Sequence, residues 1–177
     1  MGRPKMLLSW KDRTVISHIV RQWEELAADQ IAIVIDPANT GISEALKNVP
    51  GISTILNPQP ERGMFSSIQT AAHWNQWRNE VTRFVISLGD QPHVRLETLS
   101  ALLQSDPSEV VQPSFRGRAR HPVILPRNDF LKLAESAAGT FKEFLAGKKI
   151  KMIELNDPGL ELDIDTPADY EAAKLLS

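Results

Sequence analysis

The sequence predicts an α/β protein, a three-layer α/β/α sandwich built on a mostly parallel sheet with right-handed crossovers. Two runs carry that expectation. Ile31-Ala32-Ile33-Val34-Ile35 and Phe84-Val85-Ile86-Ser87-Leu88 read as interior strands buried on both faces of a parallel sheet. The third observation is order, because helical periodicities fill the intervals between strand-like runs, with no repeat, linker or low-complexity tract.

Along the chain, Val15, Ile16, Ile19, Val20, Trp23 and Leu26 recur at helical spacing, with Asp12 or Thr14 placed to cap the start. The Ile31–Ile35 strand ends at Asp36-Pro37. A short helix around Ser43 to Lys47 follows, then a strand from Ser53 to Leu56 closed by Asn57-Pro58. A helix is predicted from Met64 to Trp77, and the strand from Phe84 stops at Gly89-Asp90. Helix 96–104, strands 110–115 and 122–125, helices within 129–147 and strand 151–155 come next. A terminal helix starting at Pro167 completes the order. Ligands of such sheets sit beyond the carboxyl ends of the strands, which directs attention to Asn57, Asp90 and the segment Asp163 to Asp165.

A chain of 177 residues suits one domain spanning 1–177 with a substantial core. Its hydrophobic content of 42% and charged content of 24% are ordinary for a globular protein. A net charge of −2 gives no electrostatic reason to expect nucleic acid. The apolar runs are too short to cross a bilayer, and the amino terminus has no apolar secretory region, so cytoplasm is the expected compartment. The absence of cysteine excludes disulfides, thiolate metal sites and cysteine nucleophiles.

Asp90 follows a buried strand and a glycine, a position from which a carboxylate can hold a Mg²⁺ that also binds substrate phosphates. Taken alone, it reads better as a cap for the next turn or helix, because single strand-end aspartates are common. Asp163 and Asp165 alternate around Ile164 and should point to one side of an extended segment. Two neighbouring carboxylates repel unless a cation or hydrogen bonds compensate them, which favours a metal over a solvated strand end. Asp169 belongs instead to a helix start, in which Thr166 is the N-cap and Pro167 the first helical residue. Lys5 is a compact charge suited to triphosphate oxygens or, alternatively, a solvated surface group. Gly63-Met64-Phe65-Ser66-Ser67 opens a helix whose free amides and hydroxyls suit an anion or a ribose, or is simply a serine-rich helix start. His18, His73, His93 and His121 show no metal spacing. His121, after Arg116, Arg118 and Arg120, is either an anion contact or part of a solvated loop. No Ser/His/Asp pattern, Walker loop or GxGxxG is present.

Together these segments resemble the molybdenum cofactor nucleotidyltransferases, the MobA-like NTP transferases, and particularly their cytidylyltransferase branch. The matching stretches begin with Gly2-Arg3-Pro4-Lys5-Met6-Leu7-Leu8, Asn57-Pro58 and Gly63-Met64-Phe65-Ser66-Ser67. They continue with Leu88-Gly89-Asp90-Gln91-Pro92, Gln112-Pro113-Ser114-Phe115, His121-Pro122 and Asp163-Ile164-Asp165-Thr166-Pro167. The resemblance implies a nucleotide-diphospho-sugar-transferase-like fold. It also implies transfer of CMP or GMP from CTP or GTP to the phosphate of molybdopterin, with release of pyrophosphate. On that basis Lys5 would contact the triphosphate, and Mg²⁺ would be held by Asp90, Asp165 and Asp163. Asn57, Ser66 and Ser67 would line the nucleotide pocket and His121 would meet the acceptor. The Gly-Asp-Gln-Pro form and the His-Pro pair favour CTP over GTP. A molybdoenzyme or its chaperone would be the protein partner, with no nucleic acid or membrane involved.

Two departures from the family pattern carry expectations of their own. The family's Gly-x-Pro-Lys segment ends a longer signature with a buried first strand and a glycine-rich, arginine-containing loop, whereas this sequence opens at Met1-Gly2. A domain without that strand and loop should gape between the flanking strands, hold Lys5 poorly and transfer nucleotide slowly. Arg120 also stands where the family often has glycine. The alternatives are a non-catalytic nucleotide-binding remnant and a nucleotidyltransferase acting on a sugar phosphate.

Overall fold

The protein is described here by a computed structural model covering residues 4–47 and 49–176. Gly2 and Arg3 of the Gly2-Arg3-Pro4-Lys5 segment lie outside the described residues. A 3₁₀ turn, Lys5–Leu7, leads into a small antiparallel hairpin of β1 (Ser9–Trp10) and β2 (Arg13–Thr14). Thr14 then caps α1 (Val15–Glu25) by accepting the Ser17 N–H, and Asp12 takes no part. The apolar stripe of α1, Val15, Ile16, Ile19, Val20 and Trp23, is buried as its spacing requires.

β3 (Ile31–Ile35) pairs in parallel with β4 (Ile52–Leu56), from Ile31↔Ile52 to Ile35↔Leu56, and α2 (Thr40–Leu46) connects them. α3 (Met64–His73) leads to β5 (Arg83–Ile86), and α4 (Leu96–Leu103) leads to β6 (Val110–Phe115). β7 (Arg118–Ala119) and β8 (Val123–Pro126) turn back antiparallel. The chain then runs through α5 (Arg127–Leu131) and α6 (Phe141–Ala146) to β9 (Ile150–Glu154), which joins β6 in parallel. α7 (Pro167–Lys174) closes the described chain behind the capping box of Thr166 and Asp169.

Helices cover both faces of an open sheet. On one face α3, α5 and α6 bury Phe65, Ile68, Phe130, Phe141 and Leu145 against Phe84, Val123 and Leu125. On the other, α1, α4 and α7 bury Ile19, Trp23, Leu99 and Ala173 with Trp10 and Ile164. The result is the three-layer α/β/α fold.

Three details differ from expectation. Strand directions are mixed, because β8 lies antiparallel between β5 and β6. The helix from Met64 ends at His73 rather than Trp77. There the Trp77 indole N–H donates to the Ala71 carbonyl (2.8 Å), and Trp77 packs edge-on against Trp74, Phe84 and Phe130. Most consequentially, β3 and β5 do not behave as interior strands. Each is paired on one side only, β3 with β4 and β5 with β8, so the described strands form separate sheets. Ala32, Val34, Val85 and Ile86 are consequently half-buried. A cavity of about 410 Å³ lies between β3 and β5, walled by residues of both strands.

Candidate active site

Lys5 is the centre of the site. The 3₁₀ turn at Lys5–Leu7 carries Met6 up against Gly89, where a Cβ would lie 3.3 Å from the Met6 sulfur. Glycine leaves room for that approach, which delivers the lysine to the end of β5. Lys5 Nζ donates to Asp90 Oδ2 (2.6 Å) and Asp165 Oδ1 (2.9 Å). Its side chain is 29% exposed, Asp90 19% and Asp165 69%, so the cluster grades from partly buried to open water. Burial works against the ammonium, but its hydrogen bonds to Asp90 and Asp165 outweigh this and raise its pKa. The expectation that Lys5 would be poorly held is therefore not met. Two carboxylates from distant parts of the chain clamp it.

The capping alternative for Asp90 also fails. Its carboxylate is engaged by Lys5, while the start of α4 is held by Asp157. Asp157 accepts the Arg95 N–H (3.0 Å) and the Thr98 hydroxyl (2.7 Å). The Asp90 carbonyl accepts the Ile164 N–H (3.3 Å). That bond ties the two carboxylate segments together.

The alternation at 163–165 holds, since Ile164 is 1% exposed and both aspartates face outward. Their carboxylates nonetheless have different partners. Asp165 meets Lys5, whereas Asp163 accepts the Gln91 amide (2.8 Å). Gln91 was legible only as part of a motif, and its positioning role emerges from the contact across the chain.

Asn57 is fully buried at the end of β4. Its amide donates to the hydroxyls of Ser66 (2.8 Å) and Ser67 (3.0 Å), and its Oδ1 accepts the Gln59 N–H (2.9 Å). Asn57 thus fixes the start of α3 rather than facing an open pocket. Ser66 is also buried and donates to backbone carbonyls of Gln59 and Gly63. Ser67 is the more accessible hydroxyl. Gly63, at φ 77° and ψ −166°, sets the first turn of α3 with no side-chain cap, which leaves its amides available to an anion. Met64 and Ser67 share the wall of one cleft with Met6 and Gly89, so the α3 start and the lysine cluster are neighbours.

His121 follows β7, and its Nδ1 lies 3.4 Å from the Ile86 carbonyl. Burial lowers its pKa, opposed by that carbonyl and by the charges of Asp163 and Asp90, which places the neutral ring close to the cluster. Arg120 pairs with Glu161 and donates its backbone N–H to Pro113 O (2.9 Å), so it braces the loop.

Among the described residues, no group of three or more His, Cys, Asp or Glu is arranged to hold a metal ion. Two carboxylates converging on one cation do fit Mg²⁺, which takes one or two protein carboxylates and fills its shell with phosphate oxygens and water. Among the described residues, no helix is long and apolar enough to cross a membrane.

The family model described as the MobA-like NTP transferase domain matches residues 1–151. The chain is 22% identical over 175 residues to the molybdenum cofactor cytidylyltransferase of Escherichia coli (strain K12), covering 98% of this chain and 88% of that protein. It is 23% identical over 188 residues to a probable molybdenum cofactor guanylyltransferase of Bacillus mycoides (strain KBAB4), with the same shares covered. The fold is similar to the crystal structure of Rv0371c from Mycobacterium tuberculosis H37Rv in complex with manganese. There the TM-score is 0.78 and the identity 26%, with 98% of this chain and 93% of that chain covered.

Proposed function

The chain belongs to the MobA-like NTP transferase family, and from that premise we propose that it transfers CMP, in preference to GMP, from a nucleoside triphosphate to the phosphate of molybdopterin. The observation that carries this reading is the Lys5–Asp90–Asp165 cluster beside the open start of α3. It is supported by the similarity to curated cofactor cytidylyl- and guanylyltransferases and by the manganese complex of a structural neighbour.

In the proposed reaction an acceptor phosphate oxygen attacks the α-phosphorus. The bond from that phosphorus to the α–β bridging oxygen breaks, and pyrophosphate leaves with the electron pair. Asp90 and Asp165 would hold Mg²⁺, with Asp163 kept nearby by Gln91. The bound ion supplies Lewis-acid polarisation and offsets charge developing on the leaving pyrophosphate. Lys5, released from the carboxylates, places its ammonium on the triphosphate, and the α3 amides receive further phosphate oxygens. A phosphate nucleophile is already anionic, so positioning and charge stabilisation are the protein's tasks. His121, neutral and near the cluster, is placed to hydrogen-bond the acceptor.

Pyrophosphate release from CTP and from GTP, with molybdopterin and Mg²⁺, tests the reading. Asp90→Asn should lower turnover by about 10²–10³ while the fold survives. Turnover with a sugar phosphate and none with molybdopterin would replace the acceptor. No turnover with either, alongside retained nucleotide binding, would make the chain a binding module.

A further inference from the structure

We propose that His93 is a positioning residue for the candidate metal site: by donating its Nε2–H to two carbonyls, it sets the course of the segment that carries Asp163 and Asp165. The inference rests on reading Asp90, Asp163 and Asp165 as metal carboxylates. It adds to them a buried residue that acts through the backbone.

Residues 162–165 belong to no helix or strand, and they join the 3₁₀ turn Pro158–Glu161 to α7. No ladder therefore fixes the direction in which the two aspartates leave the backbone. The stretch from Asp90 to His93 supplies that constraint. His93 Nε2 lies 2.9 Å from the Leu162 carbonyl and 3.1 Å from the Gly159 carbonyl. The Ile164 N–H donates to the Asp90 carbonyl (3.3 Å). The Leu162 carbonyl and the Ile164 N–H belong to the peptide planes on either side of the Asp163 Cα, and a peptide plane is rigid. Holding both planes fixes φ and ψ of Asp163, and with them the aim of its carboxylate and the onward path to Asp165. The Gln91 amide cannot do the same, because it grips Asp163 by the carboxylate that a metal would claim.

The surroundings of the ring suit this task better than simple packing. His93 is 2% exposed, and a carbonyl can only accept, so Nε2 carries the hydrogen. Nδ1 is buried with no hydrogen-bond partner among the described residues. An unpaired buried nitrogen costs free energy, so packing alone, against Trp10 at 6.2 Å between ring centroids, would be served better by a phenyl ring. What the imidazole adds is a donor between the two carbonyls. The turn is shaped to receive it. A Cβ on Gly159 would lie 3.0 Å from the His93 carbonyl oxygen and 3.1 Å from its Cδ2, and glycine lets the chain close on the ring. Mg²⁺ demands near-ideal octahedral geometry, so the aim of each carboxylate bears directly on its affinity.

The test compares the whole chain with His93→Phe, which keeps a ring and removes the donor, and with His93→Gln, whose amide returns an N–H to the place of Nε2. In metal-free protein the Ile164 amide should exchange at least about tenfold faster in His93→Phe, relative to the Val111 and Ile124 amides, and His93→Gln should restore it. Mn²⁺ affinity, read by electron paramagnetic resonance, should fall by about 10–100-fold in His93→Phe and recover in His93→Gln. His93→Asn, whose shorter side chain stops short of the carbonyls, takes the place of His93→Phe should that variant not fold. Equal acceleration of the Ile164, Val111 and Ile124 amides, or equal behaviour of the two variants, would reduce the ring to packing and overturn the proposal. Unchanged Mn²⁺ affinity in His93→Phe despite faster Ile164 exchange would overturn it too. A wild type that neither binds Mn²⁺ nor releases pyrophosphate would sink the nucleotidyl-transfer reading instead. The order of Ile164 exchange in the three proteins would still support or overturn the grip of His93 on the segment.

Discussion

Lys5 removes the repulsion between Asp90 and Asp165, and that dependence makes the residue testable. Lys5→Met should leave two carboxylates facing each other without a counter-ion. The variant should melt below the wild type in chelator and recover more of the difference than the wild type gains when Mg²⁺ is added. Equal responses of the two proteins would separate the lysine from the metal. A second residue-scale effect comes from the histidines. Burial lowers the pKa of His18 and His93 from the ordinary 6.5, and Nε2 of His93 sits 3.1 Å and 2.9 Å from the carbonyls of Gly159 and Leu162. A ring whose folded pKa is depressed binds fewer protons folded than unfolded. Its contribution is therefore present above about 6.5 and is lost as pH falls from there through the lower folded pKa. The urea midpoint should decline between about pH 7 and 5.5, before the carboxylates titrate. A flat profile would show that these rings protonate without unfolding cost.

At the scale of an element, the start of α3 depends on Gly63. With φ 77° and ψ −166° it occupies a backbone region essentially closed to residues with a Cβ, although open space surrounds the position. Gly63→Ala should destabilise by about 1–3 kcal/mol through backbone strain alone. It should also weaken triphosphate binding, because the free amides of Met64 and Phe65 would be re-aimed. Denaturant melts and nucleotide titrations separate the two effects. Unchanged affinity with lowered stability would remove the α3 amides from the site.

For the whole molecule, the unpaired edges of β3 and β5 divide stability unevenly. Val111 and Ile124, on β6 and β8, are 0% and 2% exposed and belong to a sheet of five strands. Their amides should exchange near the global unfolding limit, whereas the Ala32 and Val34 amides should exchange through local fluctuation. Native-state hydrogen exchange measures this directly. Uniform protection across both sheets would mean that the helices alone hold the halves together as one cooperative unit.

Periodicity and capping determined much of this architecture in advance. The α1 stripe, the Thr166–Asp169 box and the strands at 31–35 and 110–115 were legible because each is set by neighbours within a few residues. The carboxylates were legible too, as residue types at strand ends and as parts of a family resemblance. Tertiary structure decided how they are shared. Asp165 reaches Lys5 across 160 positions and Asp163 reaches Gln91 across 72, separations at which local pattern carries no signal. Trp77 likewise shortened α3 because its indole found a carbonyl and three aromatic neighbours. The apolar character of β3 and β5 marked both as interior strands, whereas the described structure pairs each on one side only and leaves Ala32, Val34, Val85 and Ile86 half-buried. Whether each finds a strand on both edges depends on which backbone donors and acceptors share the sheet, and side-chain pattern cannot specify that.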